Sequence, residues 1–386
     1  METLILGWYV LVETHSVLLL TLFASLQHVG TLIAPMFGVM GDRLGHRNVL
    51  CAMRAFYAML AAILAIFIFT GTLTPVYALI SAGLLGLVRP SDIGMRAALV
   101  GDTMPSRQMV GAMSIQRTTQ DSAKVVGALT GAGLVAILGM GPAYIVVAAL
   151  YGLSVLLTLK AGSVRAMTHP KTASAFERPS PWRDLREGIA YVRHTPTLLA
   201  VMCLAFLLNL TAFPIFNGLL PYVAKEVYGT DRVGLGYMAA GAALGALMGS
   251  IALTRHGSSI RPGRVMVAGG VIWYALLLVF AQVEQRTAGI AVLMVAGFAQ
   301  SLSQVPMSAL LLRTSGDPFR GRVMGIRMLA IYGNMPGLLL AGPLITNFGY
   351  RSTASLYCAI GLAFAVLIAW HWRAHLWLRD AAANTR

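Results

Sequence analysis

Charged side chains are scarce in this sequence. Asp, Glu, Lys and Arg make up only 11% of its 386 residues, whereas a soluble domain carries about 25%. Hydrophobic residues make up 57%, and apolar runs long enough to cross a bilayer follow one another along almost the whole chain. The composition excludes an ordinary soluble domain and predicts an all-α polytopic membrane protein.

Cysteine and catalytic motifs are also sparse. The three cysteines lie inside apolar stretches without metal-ligand spacing, which argues against a disulfide framework or a metal site and favours small core residues. The sequence has no phosphate-binding G-x-x-x-x-G-K-[ST] loop and no G-x-S-x-G or H-E-x-x-H pattern, so neither ATP hydrolysis nor a hydrolase site is indicated. We therefore expect a protein that is not an enzyme and has no cofactor.

Acidic residues are outnumbered: 14 Asp and Glu stand against 29 Lys and Arg, a net charge of +15. Most of the cations fall in loops on one side of the predicted helices. This asymmetry is typical of the cytoplasmic side, so the charge indicates topology rather than a nucleic-acid partner. The loops of the opposite side hold only four cations, Lys225, Arg232, Arg286 and Arg351. The asymmetry therefore predicts that the central loop and the C-terminus lie in the cytoplasm.

The chain is predicted to divide around one long polar insertion. An N-terminal transmembrane bundle spans residues 1–161, a cytoplasmic linker 162–196, a C-terminal bundle 197–373 and a cytoplasmic tail 374–386. The linker stretch "SPWRDLREGIAYVRHTP" predicts a short interfacial amphipathic helix, serving as a topological connector or as a regulatory docking site. The run "GAMSIQRTTQDSAKVV" in the first half aligns with "GRVMGIRMLAIYGNMP" in the second, which favours two six-helix halves in parallel repeat.

A loop motif carries a family resemblance. "GVMGDRLGHRNVL", residues 38–50, is similar to the loop signature of the major facilitator superfamily, in the loop after the second segment where that family has it. The resemblance implies two six-helix bundles related by a pseudo-twofold axis, alternating access, a monomer, and a cytoplasmic gate motif. The matching residues are Gly38, Asp42, Arg43, Gly45 and Arg47.

Two shorter runs, "MRAALVGDTMPSRQMVGAMSIQRT" and "RGRVMGIRML", resemble the enterobactin and macrolide exporter branch of that superfamily. This implies efflux across a bacterial inner membrane. Two features depart from the family. "VGALTGAG" lacks the proline of many drug antiporters, and the first segment, "METLILGWYVLV", is shorter than the roughly 20 residues that span a bilayer. We therefore expect a first helix that is cut short, either because the start lies upstream or because half of a cavity-lining helix is missing.

Six charged residues interrupt two otherwise apolar segments. Counted from the turn at Pro105, Arg89 lies at the depth of Asp121 and Asp92 at that of Arg117, as in an antiparallel helical hairpin. An unpaired charge at mid-bilayer costs about 2.5–3.5 kcal/mol or more, so we expect these residues to pair and to face the bundle interior or a wet cavity. They are Arg89, Asp92, Arg96, Arg117, Asp121 and Lys124.

The six residues admit two roles. Their excess of positive charge favours an anionic or zwitterionic substrate, and Asp92 or Asp121 would take up the coupling proton. The alternative is a purely structural salt-bridge cluster. Uncharged polar residues in other segments line a cavity or form interhelical hydrogen bonds; they are Gln27, Asn209, Asn217, Gln300, Gln304 and Asn334.

Together these features predict a secondary active transporter in the lipid bilayer, a proton-coupled exporter of a small amphiphilic or anionic molecule. Two alternatives remain. One is a membrane sensor, or a degenerate truncated carrier, that transports nothing, and the other is a lysophospholipid-translocating carrier.

Overall fold

The computed structural model describes residues 2–31, 33, 36–37, 40–41, 44–103, 109–160, 181–256, 261–315 and 320–377. Within these ranges all regular secondary structure is helical. The chain divides into two compact units, the first made of Met1–Pro179 and Thr230–Gly236 and the second of Ser180–Gly229 and Tyr237–Arg386. The boundaries predicted at residues 161 and 197 stay predictions.

The first unit is a bundle of apolar helices. Its shortest are α1 and α2, which are separated by His15, a non-glycine residue with positive φ (48°), and by Ser16, whose hydroxyl caps α2. The helices are α1 (Glu2–Thr14), α2 (Val17–Leu26), α3 (His46–Phe69), α4 (Pro75–Thr103), α5 (Met109–Leu138) and α6 (Met140–Lys160).

Two glycines allow α4 to cross the end of α2 in direct backbone contact. A Cβ added to Gly86 would lie 2.0 Å from the carbonyl oxygen of Leu26, and one added to Gly30 would lie 2.1 Å from that of Leu87. Any side chain at either position would separate the two helices. This crossing brings the end of α2 close to the charged residues of α4.

The second unit is made of helices of very different lengths. They are α7 (Pro181–His194), α8 (Pro196–Leu207), α9 (Arg232–His256), α10 (Pro262–Gln282), α11 (Arg286–Thr314), α12 (Arg320–Ile331), α13 (Asn334–His371) and α14 (Arg373–Leu376). Helix α13 bends at Gly349, which has φ 78°. Only the first turn of α9 belongs to the first unit.

Helix α8 does not end at Leu207 but continues in wider turns. Three π-helical segments follow it, Leu208–Ala212, Pro214–Gly218 and Val223–Val227, around a short α-helical turn at Leu220–Tyr222. Proline has no backbone N–H for an α-helical bond, so Pro214 and Pro221 interrupt the regular pattern. The indole of Trp273 packs edge-on against Phe213 and Phe216, at ring distances of 5.1 and 5.5 Å, and holds this irregular stretch in the core.

Eight helical stretches in the described part of the chain are long and apolar enough to cross a membrane. Two shorter apolar helices, Val17–Thr31 and Ser122–Leu138, accompany them. Helix α1 has 13 residues, which at about 1.5 Å per residue covers less than a bilayer core of about 30 Å. The all-helical polytopic membrane architecture predicted from composition is confirmed.

Candidate functional site

A buried carboxylate lies at the start of α1. Glu2 is only 4% exposed, and its Oε2 accepts a hydrogen bond of 3.0 Å from the hydroxyl of Tyr151 in α6. The other oxygen, Oε1, has no hydrogen-bond partner among the described residues. A buried acceptor without a partner is expensive, so Glu2 has one position free to take up a proton or a ligand donor.

Arg89 of α4 lies beside this carboxylate and joins three elements. Its Nη1 donates to Thr3 Oγ1 at 2.9 Å and to Gln27 Oε1 at 2.8 Å, while the Thr3 hydroxyl also donates to Gln27 Oε1 at 3.1 Å. The guanidinium and the Glu2 carboxylate attract each other electrostatically. The Tyr151 hydroxyl is a further partner of Arg89, so the hydrogen-bond partners described for Arg89 are neutral, and Glu2 is the anion near it in this set.

Tyrosine rings close one side of this set. The rings of Tyr57 and Tyr151 lie 5.4 Å apart, and the hydroxyls of Tyr57 and Tyr144 have no hydrogen-bond partner among the described residues. Aromatic faces with free hydroxyls suit a partly apolar ligand that also accepts hydrogen bonds. The Glu2–Arg89 cluster is our name for Glu2, Thr3, Gln27, Arg89, Tyr57, Tyr144 and Tyr151.

An ion pair lies one turn further along α4. Asp92 is 8% exposed and pairs with Arg96 in the i, i+4 arrangement of its own helix. Asp92 Oδ1 and Arg96 Nε have no hydrogen-bond partner among the described residues, so each side chain has capacity for a further contact.

The structure describes only some of the residues in the cross-helix pairs predicted for this region. The side chains of Arg117 and Asp121 lie outside the described residues, so their predicted pairing with Asp92 and Arg89 stays a prediction. The side chain of Lys124 is exposed. The hydrogen bonds described for Arg89 go instead to Thr3, Gln27 and Tyr151.

The predicted gate motif is described only in part, since Gly38, Asp42 and Arg43 lie outside the described residues. Gly45, with φ 85°, starts α3. Arg47 Nε donates to the carbonyl oxygen of Thr158 at 3.3 Å, and its Nη2 donates to that of Leu159, at the C-terminal end of α6. A cation at a helix C-terminus is stabilised by the free carbonyls there, so Arg47 joins α3 to α6 within the first unit.

A smaller polar group lies in the second unit. Arg327 Nη1 of α12 donates to Ser308 Oγ of α11 at 2.5 Å. One turn from Ser308 on α11, Gln304 has a buried Nε2 without a hydrogen-bond partner among the described residues. Asn334 is 7% exposed. Arg327, Ser308 and Gln304 form a cationic polar patch on α11 and α12.

The remaining predicted cavity residues of the second unit differ in how far they are exposed to solvent. Asn209 is buried and donates to the carbonyl oxygen of Ala205 in the preceding turn at 2.8 Å. Asn217 is exposed and Gln300 is partly buried. The amide of Asn209 thus bonds within its own helix, and the cavity role predicted for these residues stays a prediction.

The sequence analysis missed Glu2, Tyr57 and Tyr151. Glu2 is a charged residue directly before an apolar run, where an acidic residue is usual at a helix start, so nothing in the pattern distinguished it. Tyr57 and Tyr151 are single polar groups in long apolar segments, a weak signal that only their proximity in space turns into a site. Among the described residues no group of three or more His, Cys, Asp and Glu is arranged to hold a metal ion.

A protein-family model matches most of the chain. The family model described as Major Facilitator Superfamily matches residues 3–333 and 202–381. No curated protein matches the chain.

Solved structures with a similar fold include three transporters. The nucleoside transporter NupG is 14% identical, with a TM-score of 0.66, over 98% of this chain and 99% of its own. The human organic anion transporter MFSD10 (TETRAN) is 20% identical, with a TM-score of 0.66, over 91% of this chain and 83% of its own. The transporter FucP in its outward conformation is 19% identical, with a TM-score of 0.62, over 96% and 97%. At these identities the likeness shows the fold.

Proposed function

This chain belongs to the major facilitator superfamily, and we propose that it is a secondary active transporter that exports a small amphiphilic or anionic molecule across a bacterial inner membrane in exchange for protons. The observation that carries the proposal is Arg89, a cation in a candidate membrane span whose hydrogen-bond acceptors are neutral. A structural ion pair alone would not need two neutral acceptors beside a partly unsatisfied carboxylate.

The substrate class follows from the charges of the described site. In the first unit Arg54, Arg89 and Arg96 are cationic, and Glu2 and Asp92 are the acidic residues beside them. A guanidinium binds carboxylates, catecholates and phosphates through two parallel hydrogen bonds. One of the solved structures with this fold is described as an organic anion transporter, which supports the same class.

Proton coupling is assigned to Glu2 in addition to the acidic residues predicted from sequence. Exchange requires that the proton and the substrate bind in turn and not together. Oε1 of Glu2 has no hydrogen-bond partner among the described residues, so it can accept either a proton or a donor group of a substrate whose anionic group is held by Arg89. A proton that binds Glu2 would displace that donor group, and loss of the proton would let the next substrate bind, so the two would cross the membrane in opposite directions.

The site is tested by transport in proteoliposomes of a panel of amphiphilic and anionic molecules, namely an anionic siderophore, a macrolide and a lysophospholipid. Arg89→Gln removes the cation and should abolish transport of the anionic substrate. Arg89→Lys keeps the charge but loses the second parallel hydrogen bond, worth about 1.5–3 kcal/mol, so KM should rise roughly 10- to 150-fold.

The matched control is Arg255→Gln, which removes an exposed arginine at the end of α9 and should leave transport unchanged. Full transport by Arg89→Gln would remove Arg89 from substrate binding. No transport of any panel member by the folded wild-type chain would favour the sensor interpretation instead.

A further inference from the structure

One face of the linker helix α7 combines exposed arginines with an exposed aliphatic side chain. Arg186, Ile189 and Arg193 are all exposed, Ile189 to 48%. Their i, i+3 and i+7 spacing puts them on one side of the helix. Gly188 and Val192 are buried, and α7 packs against α12 and α8, so the helix uses only part of its apolar surface inside the protein.

This face lies next to a membrane span. Only Thr195 separates α7 from α8, which starts the 32-residue candidate span Pro196–Val227. The Thr195 hydroxyl donates to the carbonyl oxygen of Tyr191 at 2.9 Å, and the amide of Leu199 donates to that of Thr195 at 3.0 Å. These bonds tie the end of α7 to the start of α8, so α7 cannot move far from the bilayer surface.

The chemistry of the face fits an anionic lipid. Guanidinium groups bind phosphate through parallel hydrogen bonds, and an aliphatic side chain between them inserts at the boundary between headgroups and acyl chains. Ile189 lies two helical turns before the span that starts at Pro196, so its exposed side chain lies close to the bilayer, which favours a lipid over a water-soluble protein partner. We propose that the Arg186–Ile189–Arg193 face of α7 is a docking surface for anionic phospholipid. The lipid would belong to the leaflet on the side of the membrane where most Lys and Arg of the predicted loops lie.

Bound lipid would act on the second unit through packing. α7 contacts α12, and α12 carries Arg327, which donates to Ser308 of α11. A lipid that fixes α7 against the membrane therefore also fixes the helix that carries this polar patch. The surface itself does not depend on the transport reaction, so its test needs no substrate.

The test is a titration of the full-length chain in detergent micelles with short-chain phosphatidylglycerol and, separately, phosphatidylcholine, with bound lipid counted by native mass spectrometry. One arginine near an anionic membrane surface contributes about a fivefold change in binding, so the pair should favour phosphatidylglycerol by roughly 25-fold. Arg186→Gln with Arg193→Gln should lose this preference, and Arg186→Lys with Arg193→Lys should keep most of it.

The control has the same change in net charge elsewhere. Arg232→Gln with Arg286→Gln removes two exposed arginines at the starts of α9 and α11, which the charge pattern places on the opposite side, and should keep the preference. All variants should unfold at the wild-type temperature because the changed side chains are exposed.

Three results would overturn the proposal. The first is an unchanged preference in Arg186→Gln with Arg193→Gln. The second is an equal loss in the control, since any two charges would then serve. The third is tight binding of a soluble poly-glutamate peptide without any preference for phosphatidylglycerol, which would assign the surface to an acidic protein partner.

Discussion

The interaction between Glu2 and Arg89 can be measured without knowing the substrate, by a double-mutant cycle. The two single variants are Glu2→Gln and Arg89→Met, and the third variant combines them. Glutamine keeps the shape of Glu2 and an oxygen that accepts from Tyr151, and methionine fills the apolar part of the arginine side chain. The cycle therefore removes the charges with little change in volume.

The expected magnitudes follow from burial and partners. Arg89→Met leaves the carboxylate of Glu2, only 4% exposed, without its nearby cation, and a buried polar group left uncompensated costs about 1–3 kcal/mol, or more when it is charged. Glu2→Gln leaves Arg89 with Thr3 and Gln27 as acceptors and weakens one hydrogen bond to a charged acceptor, which costs about 1–2 kcal/mol. The double variant has neither charge, so its loss should fall short of the sum by about 1–3 kcal/mol.

The measurement is reversible unfolding of the purified chain in mixed micelles of mild detergent and increasing SDS, followed by tryptophan fluorescence. The free energy of unfolding is compared among the wild type and the three variants at one pH. If the two single losses add to within about 0.5 kcal/mol of the double loss, the two charges do not interact and the reasoning is refuted.

Two further predictions concern packing inside each unit. A Cβ at Gly245 would lie 1.7 Å from the backbone oxygen of Met294, so Gly245→Ala should lower the free energy of unfolding by at least about 1–3 kcal/mol. The control is Gly152→Ala, whose Cβ would have nothing within 4 Å and which should not lower the free energy of unfolding. Equal losses in the two variants would contradict the close helix contact. Arg54 Nη1 donates to Ser154 O at 3.2 Å and also contacts the Thr158 hydroxyl, so Arg54→Met should cost about 1–3 kcal/mol in the same assay, and an unchanged stability would show that these bonds contribute nothing net.

The helical architecture was predictable because it depends on composition and on length. Long apolar runs with few charges leave a chain in a bilayer no alternative but helices, whose backbone groups are satisfied internally. The family could likewise be inferred from the short loop motif that ends in Gly45 and Arg47, because that motif has a fixed position in the chain order.

The charged region of α4 was predictable as a functional candidate, but its partners were not. The cost of a charge in a membrane span singles out Arg89 and Asp92 from sequence alone. Counting residues from the turn of a hairpin shows which residues of two adjacent helices lie at the same depth in the membrane. It carries no information on which helices distant in sequence pack together. The contacts of Arg89 with Thr3 and Gln27 depend on the packing of α1, α2 and α4, for which the sequence has no local signal.

The irregular continuation of α8 shows a second limit. Pro214 and Pro221 predict an interruption of the helix, yet the sequence does not determine whether the chain kinks or widens. Three π-helical segments form here, and Trp273 packs against Phe213 and Phe216 beside the second of them. Such turns are often found at functional sites, a property that depends on tertiary packing.

The central claim, proton-coupled transport with Glu2 as a coupling carboxylate, is tested most directly by substrate-driven proton movement in proteoliposomes loaded with a pH-sensitive dye. The account predicts that an anionic substrate moves protons through the wild-type chain. It also predicts that Glu2→Gln still exchanges labelled for unlabelled substrate but moves no protons, whereas Glu13→Gln, an exposed acidic residue of the same helix, behaves as the wild type. Wild-type proton movement in Glu2→Gln would contradict the role of Glu2, and substrate exchange without proton movement in the wild type would contradict proton coupling itself.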